Sequence, residues 1–212
     1  MSTYDNIQQK LLGLVFILAP LLMVIGTAAF AMGIGVSPSG QSSWVMSVFN
    51  SWGYLLMIPV VLTLARILGQ RAPFLGLICV ILGIGWGMSV VPGTAGSLQT
   101  GVDVSDFSGN IHTIMDASQG IMYFLFPSFL SVNGFILLGI GLLWKGGIPR
   151  WAAGLLIVGT VLFMVGVSLD AETEVWQASL PGYISYLIAL APLGFQRLVG
   201  TNEVAVRELA KV

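Results

Sequence analysis

The residues with the greatest capacity for chemistry gather around the single histidine. His112, Asp116, Gln119 and Tyr123 follow one another at spacings of 4, 3 and 4, which on a helix sets all four on one face. An imidazole four residues before a carboxylate can bring two ligands to one cation, and Asp103, Asp106, Asp170, Glu172 or Glu174 could add oxygens. One histidine with flexible carboxylates is an unspecific ligand set, and an ordinary His–Asp hydrogen bond at a helix start accounts for the pair, so no metal is assigned. As a general base the pair would suit a metal-assisted hydrolase, yet no nucleophile or oxyanion device accompanies it. The expectation is a non-catalytic protein, and no cofactor can be named.

Two further polar stripes carry helical spacing: Ser47, Asn50 and Tyr54, and Ser179, Tyr183 and Tyr186. With the histidine stripe they define a candidate ligand-binding set of His112, Asp116, Gln119, Tyr123, Asn50, Tyr54, Tyr183 and Tyr186. Neutral hydroxyls, carboxamides and phenols converging in apolar surroundings are the pattern of a binding pocket.

The elements that must position these residues follow from where charge is missing. Residues 11–65, 72–102, 117–144, 151–169 and 175–196 contain no Asp, Glu, Lys or Arg. Each stretch approaches or exceeds the roughly 20 residues that a bilayer core requires. The first must hold two helices, because Ser37-Pro38-Ser39-Gly40-Gln41-Ser42-Ser43 is a run of turn formers at its centre. An all-α, polytopic transmembrane bundle of six spans results, at about 11–36, 44–68, 74–92, 117–144, 151–169 and 177–198, followed by a tail over 201–212. The tail pairs Glu203 with Arg207 at i,i+4 and reads as a short surface helix.

Composition agrees, with 56% hydrophobic and only 8% charged residues and a mean hydropathy of +0.94, which excludes an ordinary water-soluble globule. A net charge of −1 leaves no basic surface for nucleic acid. The lone Cys79 excludes an internal disulfide and a thiolate metal cage.

Orientation follows from Lys and Arg in the short loops. With both termini cytoplasmic, Lys10, Arg66, Arg71, Lys145, Arg150, Arg197, Arg207 and Lys211 all fall inside, and the acidic loops with His112 fall outside. Trp144 and Trp151 flank the inner 4–5 loop, whereas Trp44, Trp86 and Trp176 lie near outer helix ends, as interface anchors should. All three polar stripes then open toward the outer surface.

No Asp, Glu, Lys, Arg or His lies deep in any span. Proton relays, ion-coupled carriers and voltage sensors place them there, so those classes are disfavoured. Haem ligation by two histidines is excluded, and no HExxH, GxSxG or phosphate-binding loop is present. Thr27, Thr63, Asn133 and Thr160 are polar at depth and are expected to hydrogen-bond between helices. Gly26, Ala29, Gly33, Gly83, Gly87, Gly154 and Gly159 are expected to supply small surfaces for close helix packing. Pro20, Pro59, Pro127 and Pro192 lie within apolar runs.

From Gly139 to Gly159 the chain reads G-I-G-L-L-W-K-G-G-I-P-R-W-A-A-G-L-L-I-V-G, a helix end, a basic turn and a glycine-studded helix start. With the basic turn near Arg66 and the six-span layout, it resembles a large group of uncharacterised bacterial six-span membrane proteins, a domain of unknown function. The resemblance implies a bacterial inner (plasma) membrane location and carries over no activity or site. The expected role is binding of an apolar or amphiphilic ligand, or of a partner subunit or second copy, through the outer half of the bundle. A facilitator for a small neutral solute, hinged at the four prolines, and a metal-assisted enzyme at His112 and Asp116 are the alternatives.

Overall fold

The computed structural model describes residues 3–36, 43–83, 126–173 and 179–199. Their secondary structure is helical, apart from one isolated bridge between Val36 and Ser43. The helices are α1 (Thr3–Ala31), α2 (Trp44–Gly69), α3 (Pro73–Gly83), α4 (Phe126–Lys145), α5 (Arg150–Thr173) and α6 (Leu180–Val199). The all-α expectation therefore holds. Two of them, α1 and α2, are long and apolar enough to cross a membrane. The expected loop over 93–110 and the expected tail over 201–212 lie outside the described residues.

Local chemistry sets the helix ends. α1 starts at Thr3, earlier than the apolar run, because Asp5 in its first turn complements the helix dipole and Gln8, Gln9 and Lys10 are good helix formers. It stops at Ala31 in a Schellman motif, with Gly33 at φ +75°, Gly33 N–H donating to Phe30 O and Ile34 N–H to Ala29 O. Gly33 is thus a helix stop, and a Cβ built on it would meet nothing within 4 Å. That corrects its reading as a packing surface. Ser43 caps α2, accepting from Met46 N–H at 3.3 Å and donating to Ile34 O at 2.8 Å, which ties the two ends of the hairpin together. Pro73 opens α3, where a missing N–H costs nothing. Pro149 immediately precedes α5, and its carbonyl accepts from Ala152 and Ala153 N–H.

Contacts between helices give a closed circuit of alternating direction. Gly26 faces Asn50 while Gly53 faces Ala19 and Met23, so α1 and α2 run antiparallel. The same reasoning applies down the chain: Gly69 meets Gly76 and Val61 meets Gly83 (α2 with α3), and Leu75 meets Gly141 and Leu82 meets Gly134 (α3 with α4). Gly139 packs on Ala153 and Ile157, and Gly159 on Ser185 and Tyr186. The circuit closes where α6 returns to α1, since a Cβ on Gly13 would lie 2.7 Å from Gly194 O and one on Gly194 would lie 2.5 Å from Gly13 O. Backbones this close exclude any side chain, which is how apolar helices gain contact where lipid is as apolar as the partner. Gly154 departs from the expectation, because a Cβ there would meet open space. Thr63 also departs: its hydroxyl donates within its own helix, to Pro59 O at 2.7 Å.

One end of the circuit carries Lys10, Arg66, Arg71, Lys145, Arg150 and Arg197. Arg71 Nη1 donates to Lys145 O at 2.8 Å, so the α2–α3 and α4–α5 turns touch. Arg197 donates to Gln9 Oε1 at 3.4 Å and lies over the Phe16 ring. The interior on this side is apolar, with Phe16, Leu64, Leu68, Leu138, Leu142, Leu156 and Leu190 fully buried. The outer surface is apolar as well, with Ile25, Leu55, Ile81, Ile140, Val158 and Ile188 exposed, one from each helix.

Candidate functional site

The half of the circuit away from the basic end holds the polar interior. Thr27, Ser43, Ser47, Asn50, Thr160, Ser179 and Ser185 are the buried polar residues among those described, and all lie in that half. Helix periodicity places them there: Ser43, Ser47 and Asn50 follow one face of α2, and Ser179, Gly182, Tyr183 and Tyr186 follow one face of α6.

The two stripes meet. Tyr54 on α2 and Tyr183 on α6 share a hydrogen bond between their hydroxyls, and their rings stand edge to face with centroids 6.4 Å apart. Tyr183 is buried and its ring also packs on Phe163 of α5 at 5.5 Å, while Tyr54 is half-buried. One turn deeper, Tyr186 is fully buried. The Thr160 hydroxyl donates to Leu156 O at 2.7 Å, which leaves its oxygen to accept from Tyr186 Oη at 2.8 Å. Phe135 of α4 closes the other side of the Tyr186 ring at 5.6 Å. Tyr186 therefore acts as the floor of the polar half, with its hydroxyl already engaged.

Asn50 sits at the α1–α2 contact, and its Nδ2 donates to Thr27 Oγ1 at 3.5 Å. Its Oδ1 is buried with no hydrogen-bond partner among the described residues, against Gly26, where a Cβ would come within 2.8 Å. A buried carbonyl left unpaired costs about 1–3 kcal/mol. It is an acceptor that the described residues do not use.

Tyr54 and Tyr183 are thus brought together, with Tyr186 one turn deeper on α6, while Asn50 lies one turn from Tyr54 on α2, at the contact with α1. His112, Asp116, Gln119 and Tyr123 lie outside the described residues. Thr27 and Thr160 bond between helices as expected. The aromatic partners Phe135 and Phe163 were not singled out in the sequence, because in helices apolar all round no periodicity distinguishes an inward phenylalanine from an outward one.

The chemistry available is neutral. Hydroxyls and a carboxamide can bind an alcohol, carbonyl or amide, and the buried polar residues among those described include no carboxylate or cation. Among the described residues no group of three or more His, Cys, Asp or Glu side chains could hold a metal ion. No protein-family model, characterised protein or solved structure matches this chain.

Proposed function

We propose that the chain is a six-span protein of a bacterial plasma membrane, with both termini cytoplasmic, and that it binds an amphiphilic molecule through the outer half of its bundle without catalysing a reaction. The observation that carries the binding reading is the one-sided interior. Buried polar groups, the Tyr54–Tyr183 link and the unused Asn50 Oδ1 lie in one half, and the other half is filled with apolar side chains. Such an interior suits a site that opens on one side better than a path that crosses, which favours binding over facilitated transport. A neutral hydrogen-bonding head on an apolar body is the chemistry that suits the site.

The membrane reading draws support from the surface. Large apolar residues exposed on all six helices would aggregate in water and are at home in lipid. α4, α5 and α6 have 20, 24 and 20 residues, the length a hydrocarbon core needs. The collection of Lys and Arg at one end fits a cytoplasmic face.

Reconstitution in proteoliposomes tests the choice between binding and transport. Uptake of small neutral solutes such as glycerol or urea is expected to equal that of empty vesicles. Saturable flux above that level would overturn the binding reading in favour of a facilitator.

A further inference from the structure

The basic end carries a second feature, which rests on the membrane reading alone and not on the outer site. The segments 66–74 and 144–151 contain Arg66, Arg71, Lys145 and Arg150 and no acidic residue. The bond from Arg71 Nη1 to Lys145 O joins the two turns, and Gly146 lies under the guanidinium so closely that a Cβ there would come within 2.5 Å of Nη1. Arg71, Lys145 and Arg150 are all exposed, so their charge is not consumed by burial or by a carboxylate in these turns. The two turns also carry exposed aromatic rings: Phe74 at 77%, Trp144 at 75% and Trp151 at 50%. Lys145 Nζ lies 4.2 Å from the centre of the Trp144 ring, which holds the ammonium beside an indole instead of letting it range into solvent.

Cations fixed on a rigid double turn, bordered by rings that prefer the headgroup level of a bilayer, make a receptor for a phosphate attached to acyl chains. We infer that the paired α2–α3 and α4–α5 turns bind an anionic phospholipid of the inner leaflet, its phosphate held by Arg71, Lys145 and Arg150 and its glycerol and upper acyl region resting on Trp144, Trp151 and Phe74. Charge complementarity selects this occupant: a zwitterionic lipid carries its own ammonium and gains nothing from three clustered cations, and a free phosphate has no use for the exposed rings. Lys10 stands on α1 and Arg66 in the last turn of α2, before the Arg71–Lys145 junction, so they contribute general attraction and no site.

Quenching of tryptophan fluorescence by brominated lipids reads this directly, because Trp144 and Trp151 lie at the proposed contact. The full chain is reconstituted in phosphatidylcholine bilayers with either brominated phosphatidylglycerol or brominated phosphatidylcholine as the minor component. The wild type is expected to be quenched preferentially by phosphatidylglycerol. Lys145→Gln/Arg150→Gln should lower that preference by about fivefold for each cation removed. Lys145→Arg/Arg150→Lys should keep it, and so should Lys10→Gln/Arg66→Gln. Helical content by circular dichroism confirms that each variant is folded. An absent preference in the wild type, a preference unchanged in Lys145→Gln/Arg150→Gln, or an equal loss in Lys10→Gln/Arg66→Gln would overturn the proposal, the last by showing diffuse attraction without a site.

Discussion

The hydroxyls of Tyr54 and Tyr183 meet across the interior, joining helices α2 and α6 that are 129 residues apart at that point and that each pack mainly against α1. One hydroxyl donates and the other accepts, so loss of either removes the bond. Tyr183→Phe and Tyr54→Phe should each lower stability by about 1 kcal/mol, and the double variant should cost clearly less than the sum. Thermal unfolding in mild detergent, followed by circular dichroism, measures the coupling.

The closing contact of the circuit should tolerate no side chain. Gly194→Leu places its branch against Gly13 O, Phe16 and Ile17, and is expected to cost about 2 kcal/mol or more. Gly154→Leu points into open space and should leave the melting temperature nearly unchanged. Equal losses at the two positions would count against the packing described.

Gly33 isolates a purely conformational term, since its φ of +75° is left-handed and nothing lies near its Cβ direction. Gly33→Ala should destabilise by about 1–2 kcal/mol, and Gly33→Asn by less, since asparagine tolerates that region better. The ranking of the two melting temperatures is the check.

Much of the fold was legible because the information lay in interruptions. The basic turns near Arg66 and Lys145 marked where helices had to break, and α2 gives way to α3 and α4 to α5 there, whereas α1 stops at Ala31, ahead of the turn formers at 37–43. The polar stripe of α2 and that of α6 were legible from spacing, and so was their shared end of the bundle. The facing of individual small residues was not. Gly154 and Gly159 look alike in a helix apolar on every side, yet Gly159 lies under Tyr186 and Gly154 faces outward, a distinction fixed by partners in α6 and not by the local pattern. Gly33 was misread for the same reason, because a glycine that stops a helix and one that packs it share a residue type.

The six-span reading makes a labelling prediction. In a Cys79→Ser background, Ser39→Cys should react with a membrane-impermeant maleimide in spheroplasts. Gln70→Cys should react only after the membrane is permeabilised. Labelling of both positions, or the reverse order, would contradict the orientation read from the basic residues.

The central claim is that the polar half of the interior exists to bind. Asn50 tests it most sharply, because its Oδ1 has no partner among the described residues and its Nδ2 makes a long 3.5 Å bond to Thr27, so Asn50→Leu should cost no more than about 1 kcal/mol of stability, whereas a binding role should suffer. The decisive measurement is native mass spectrometry of wild type and Asn50→Leu, both extracted gently from the membrane in which they were made. The account predicts a neutral amphiphile of defined mass, one per chain on the wild type and depleted by about tenfold or more on Asn50→Leu, the equivalent of about 1.4 kcal/mol. A wild-type chain that emerges bare, or an adduct retained equally by both, would contradict it.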